Sequence, residues 1–114
     1  MAQILRQVSE AAFLAQVRGL ADVLGYISYH THDSRRSDPG FPDLVLVHPR
    51  TRRIIYAELK TVRGKLRPAQ QTWIDALTTV GQEVYVWRPT DWHDIETTLK
   101  TPIADQARGI SENS

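Results

Sequence analysis

Pro42-Asp43-Leu44-Val45-Leu46-Val47, a short basic turn, and Ile54-Ile55-Tyr56-Ala57-Glu58-Leu59-Lys60 together decide the fold of this chain. The two apolar, β-branched runs read as adjacent strands of a hairpin over 44–47 and 54–59, with 49–53 as the turn. One strand opens on an acid and the other closes on acid-x-lysine. Residues two apart on a strand share a face, so Glu58 and Lys60 project together and Leu59 points away. Two carboxylates and a lysine at one end of a sheet can hold a divalent cation beside a phosphate. That is the chemistry of metal-dependent cleavage of nucleic acid.

The remainder of the chain bounds that idea. Its 114 residues suit one domain, and 41% hydrophobic with 24% charged residues is the composition of a globular protein. The absence of cysteine excludes disulfides and thiolate zinc sites. No apolar run is long enough to span a membrane and no signal-peptide pattern opens the chain, so the expectation is no membrane and an intracellular, cytoplasmic location. Net charge is only +1, but its distribution is uneven. Arg50, Arg52, Arg53, Lys60, Arg63, Lys65 and Arg67 crowd one segment with Glu58 as its single acid, and Arg35 and Arg36 lie upstream. Acids collect later, at Asp75, Glu83, Asp91, Asp94, Glu96, Asp105 and Glu112. Such a stripe fits either a phosphate-binding footprint or a solvated loop.

Ser9 can cap a helix running to about Leu24, with Gly25 as its stop, and Phe13, Val17, Leu20, Ala21 and Leu24 form its apolar stripe. A short strand is expected over 26–29 and a polar loop over 30–42. A basic loop over 61–67 leads to Pro68, which suits the first turn of a helix ending near Val80 and Gly81. A strand over 83–87 and a helix over 91–100 follow, and 101–114 reads as a flexible tail behind a domain of 1–100. The strand–helix–strand order makes the strands at 54–59 and 83–87 parallel, with a right-handed crossover. The fold class is α/β: a central mixed sheet flanked by helices.

Two polar residues sit where apolar ones belong. Glu10 falls on the stripe of Phe13, Leu14 and Val17, and Gln70 on the stripe of Trp73, Ile74 and Leu77. Each lies in a first turn, where the alternative is a frayed end reaching water. If both helix starts overlie the Asp43–Glu58 end of the sheet, four polar groups converge there.

Gly40-Phe41-Pro42-Asp43, Ala57-Glu58-Leu59-Lys60, Gly64-Lys65-Leu66-Arg67-Pro68-Ala69-Gln70-Gln71-Thr72-Trp73 and Val84-Tyr85-Val86-Trp87-Arg88-Pro89 resemble the VRR-NUC family of the PD-(D/E)xK nuclease superfamily. The resemblance runs from about Glu10 to Pro89 and implies a restriction-endonuclease-like core. It implies that Asp43, Glu58, the Leu59 carbonyl and Glu10 bind Mg2+ or Mn2+. By the same resemblance Lys60 positions or activates the attacking water and Gln70 lines the site. Hard cations favour carboxylate oxygens, which agrees with those roles. Arg35, Arg36, Arg63, Lys65 and Arg67 are the expected phosphate contacts. Stand-alone members imply a structure-specific endonuclease on branched DNA, Holliday junctions in particular, acting as a homodimer on nucleoid or host-cell DNA. Flap, nicked or single-stranded DNA is the alternative substrate, and a non-catalytic DNA-binding module the alternative function. A sequence-specific restriction enzyme is disfavoured, because no segment looks like a target-recognition element.

Other residues read more plainly. His30-Thr31-His32-Asp33 lacks further ligands at matching spacing and reads as a surface loop. His48 is expected to face the turn, and Trp73 and Trp87 to be core, while Trp92 is a candidate for a dimer or DNA surface.

Overall fold

The computed structural model describes residues 8–31 and 38–101. Arg35, Arg36, His32, Asp33 and the tail from residue 102 lie outside the described residues. The elements are α1 (Glu10–Val23), β1 (Ile27–His30), β2 (Leu44–His48), β3 (Arg53–Leu59), α2 (Pro68–Thr79), β4 (Glu83–Trp87), a 3-10 turn (Pro89–Asp91) and α3 (Trp92–Lys100). The strands form one sheet in the order β1-β2-β3-β4, antiparallel except for the parallel β3/β4 pair. The expected hairpin and strand–helix–strand unit are both present. Strand boundaries differ by one residue. β1 starts and ends one residue later and takes in His30, β2 extends to His48, and β3 starts at Arg53, which the sequence places in the turn.

Alternation along β3 separates the two faces of the sheet. Ile55, Ala57 and Leu59 join Leu44 and Leu46 on one face, packed with Phe13, Val17 and Ala21 of α1 and Ile95 and Leu99 of α3. Phe13, Val17 and Ala21 follow one another at four-residue spacing and are fully buried. Each large apolar side chain removed from water contributes about 1.5–3 kcal/mol. Ser9 caps α1 by accepting from Ala12 N at 3.1 Å, and Gly25 takes φ +95° just beyond its end.

The other face carries Ile54, Tyr56 and Glu58, and α2 covers only the part near β3 and β4. Trp73 is therefore half-buried, not core: it meets Phe41 edge-to-face at 5.0 Å, and no residue of α2 is fully buried. Trp87 is core, and Trp92 packs against the core instead of forming a free surface. Ile27 pairs across Val47 to Ile54, and Tyr29 across Val45 to Tyr56. Ile27 and Tyr29 are 64% and 63% exposed, so no helix among the described residues lies over this apolar half of the sheet.

Arg53 leaves the basic stripe altogether. Its side chain is buried, paired with Glu83, and its Nη1 donates to Tyr26 Oη and to the carbonyls of Thr98 and Thr101, each at 2.9 Å. It satisfies carbonyls at the end of α3 that the helix itself leaves open. His48 likewise makes no phosphate site. Thr51 N donates to Nδ1 at 3.3 Å, which leaves the ring proton on Nε2 to donate to the Leu24 carbonyl at 3.0 Å.

Gly40 sets the approach of α2 to the segment that carries Asp43 into β2. It has φ +92°, and a Cβ there would collide with the main-chain carbonyl of Ala69 in the first turn of α2. Gly40→Ala is expected to destabilise the chain by at least ~2 kcal/mol, from left-handed strain plus a clash with backbone that cannot move aside. Urea denaturation measures this; unchanged stability would mean that α2 does not press on Gly40.

Candidate active site

The site lies at the end of the sheet where β2 begins and β3 ends. Asp43 precedes β2, and its Oδ2 accepts from Leu59 N at 2.9 Å, a bond that ties the carboxylate to the neighbouring strand. Glu58 is 2% exposed. Its Oε2 accepts from Gln70 Nε2 at 2.9 Å and lies 3.7 Å from Lys60 Nζ, outside hydrogen-bond distance. Its Oε1 is buried and has no hydrogen-bond partner among the described residues.

Gln70 is locked by two bonds that leave one orientation open. Arg67 N donates to its Oε1 at 2.8 Å, and an N–H can only be met by the amide oxygen. The amide nitrogen must then face Glu58. The polar residue on an apolar helix stripe thus reaches the sheet as the sequence suggests. Its position three residues into α2, after Pro68, is what brings it there.

Burial and the adjacent Asp43 carboxylate push the Glu58 carboxyl up to about 8, against an opposing pull from Lys60. Desolvation is the larger cause. A buried carboxyl with an orphaned oxygen beside a second carboxylate is an environment that a divalent cation would relieve, since hard cations take oxygen ligands and offset both charges. Asp43 and Glu58 with the Leu59 carbonyl supply such ligands, so the residues present fit a divalent metal. Among the described residues, however, no three His, Cys, Asp or Glu side chains are gathered closely enough to hold a metal.

Glu10 accounts for that shortfall. The sequence places it on a buried stripe, and it is instead exposed. It lines a cleft of about 200 Å³ with Ala11, Leu14, His30, Asp43 and Leu59, so it shares the rim with Asp43 without closing on Glu58. The first turn of α1 runs past the region where the sheet buries its stripe. Arg63, Lys65 and Arg67 are exposed along the loop that joins Lys60 to α2. Sequence reasoning missed Arg88, whose guanidinium donates to the carbonyls of Thr61, at 2.7 Å, and Gly64, at 2.6 Å, of that same loop. Arg88 stands in the run Val84–Pro89 that carries the resemblance, but its role is not legible there, because main-chain partners leave no trace in residue type.

Residues 5–91 match the family model of the VRR-NUC domain, which is most of the chain. The chain belongs to the VRR-NUC family. Two solved structures agree. A VRR_NUC domain is 27% identical, with 63% of this chain and 80% of that one covered at a TM-score of 0.50. A VRR_NUC domain protein at 16% identity covers 78% of this chain and 86% of its own, with a TM-score of 0.53, and shares the fold. The search of curated proteins gave no match. VRR-NUC membership makes this a nuclease-family domain and implies DNA binding, and VRR-NUC nucleases in general depend on a divalent metal. No helix among the described residues is long and apolar enough to cross a membrane.

Proposed function

We propose that this VRR-NUC chain is a Mg2+- or Mn2+-dependent endodeoxyribonuclease that hydrolyses phosphodiester bonds in branched DNA, as a homodimer. The observation that carries the catalytic part is the buried, orphaned Glu58 carboxyl set between Asp43, Lys60 and Gln70. Asp43, Glu58 and the Leu59 carbonyl would hold the cation, with Glu10 on the rim of the same cleft as a further carboxylate. When bound, the cation supplies positive charge at the scissile phosphate and acidifies a water. Lys60, buried to 7% exposure, holds its ammonium where charge accumulates on the phosphate and orients the attacking water. Gln70 keeps Glu58 aimed by donating to one oxygen and leaving the other for the cation. Arg63, Lys65 and Arg67 bind flanking phosphates.

The uncovered sheet face of Ile27, Tyr29 and Ile54 supports the dimer, because apolar area left open by α2 is what a second copy would bury. Two equivalent sites suit a substrate with two-fold symmetry, such as a four-way junction.

A panel of labelled junction, fork, flap, nicked, single-stranded and duplex DNA tests the whole reading. Symmetric paired incisions in the junction, with either metal, and a molar mass twice that of the chain are expected. Preference for a flap or nick would reject the junction substrate. No cleavage of any member would favour a DNA-binding module on the same fold.

A further inference from the structure

Arg88 directly follows β4, and its main-chain N–H donates to Asp91 Oδ2 at 2.9 Å, which anchors the strand end to the 3-10 turn. Its Nη1 reaches the carbonyls of Thr61 at 2.7 Å and Gly64 at 2.6 Å, with a weaker contact to Val62 at 3.4 Å. One nitrogen carries two hydrogens, so the two short bonds are made in full and the third is shared.

The loop it holds is already fixed at both ends to the site. Lys60 N donates to the Trp87 carbonyl at 2.9 Å, and Arg67 N donates to Gln70 Oε1 at 2.8 Å. Between these ends, Gly64 N closes a turn onto the Thr61 carbonyl at 3.2 Å. Arg88 therefore binds the middle of the span. Its effect is also electrostatic. Main-chain carbonyls are negative dipole ends, and gathering three of them on a guanidinium offsets those dipoles within the loop on which Arg63, Lys65 and Arg67 are exposed. No acid lies among residues 61–67 to oppose them.

We propose that Arg88 is a positioning residue for nucleic acid: it fixes loop 61–67 so that Arg63, Lys65 and Arg67 meet successive phosphates, while not touching DNA itself. This rests on the nuclease reading above. A cation whose hydrogen bonds go to its own backbone acts through the loop, so its removal weakens the grip on several phosphates at once.

The test compares wild type, Arg88→Ala and Arg88→Lys as full chains. It follows cleavage kinetics on the DNA that wild type cuts best, salt dependence of DNA binding in EDTA, and amide hydrogen exchange without DNA. Arg88→Ala is expected to raise KM about tenfold with kcat changed less than about threefold, the pattern of weakened binding as opposed to impaired chemistry. The slope of log affinity against log salt should fall by about 2, as when two fewer phosphates are neutralised. Amides of 61–67 should exchange faster while those of β3 and β4 keep their protection. Arg88→Lys, whose ammonium can still donate to the carbonyls, should recover part of each effect; it also serves if Arg88→Ala does not fold. Unchanged KM and salt slope in an active enzyme would overturn the proposal alone. A raised KM with loop exchange unchanged would also overturn it, since Arg88 would then be gripping DNA directly. A wild type that neither cuts nor binds DNA would remove the nuclease reading and this proposal with it.

Discussion

Lys60→Ala is expected to lower kcat about 10²–10³-fold while DNA affinity stays within about threefold, measured by single-turnover cleavage and by binding in EDTA. The split follows from where the two kinds of cation lie. Lys60 is buried at the sheet end, 3.7 Å from Glu58, whereas Arg63, Lys65 and Arg67 are exposed on the loop beyond it. On the proposed function the former would meet the reacting phosphate, and the latter would carry the salt-dependent grip. Asp43→Asn should give a similar loss in kcat for another reason, because on the proposed function it would weaken the hold on a cation that both carboxylates would share. The two are separable by titrating Mg2+. Excess metal should partly restore Asp43→Asn, whereas Lys60→Ala should remain slow at saturation. A Lys60→Ala enzyme that keeps wild-type turnover would remove lysine from the chemistry.

The readable parts of this site are those whose signal is local. Alternation along β2 and β3 determines which residues share a face, and β-branched content marks the strands. Gln70 is visible because an amide on an apolar helix stripe is anomalous without a partner, and Glu58 is that partner. Glu10 shows the limit of the same argument. A helical projection gives the direction of a side chain but not how far the sheet extends along the axis, and Glu10 lies past the buried region. Arg53 counts with the basic stripe in sequence because its neighbours there are arginines. Its true partners are Glu83, thirty residues on, and the carbonyls at the end of α3. The half-covered sheet is likewise hidden, since Ile27 and Tyr29 alternate as any buried strand would.

Glu58→Gln should abolish cleavage and at the same time make the metal-free chain more stable at pH 8, with no gain at pH 4.5. The sign follows from proton binding. In the unfolded chain this carboxyl titrates near 4.5, and in the fold burial and Asp43 raise it to about 8. Below 4.5 both states hold the proton, and Glu58 contributes no pH dependence. Between those values the folded state binds more protons than the unfolded one, so wild-type stability falls as pH rises, by up to ~1.4 kcal/mol per unit. Glutamine keeps the shape and can still accept from Gln70, yet has nothing to ionise, so it should lack that slope. The expected difference at pH 8 in EDTA is on the order of a few kcal/mol, read by urea denaturation across the pH range. Adding Mg2+ should flatten the slope of wild type, because the cation favours the ionised carboxylate, and leave that of Glu58→Gln unchanged. The two halves of the result belong together. The carboxyl whose charge the fold tolerates least at neutral to alkaline pH is the one that, on the proposed function, would hold the cation, so metal binding would relieve it. Parallel pH profiles for the two proteins would mean that Glu58 ionises freely and would dissolve that link.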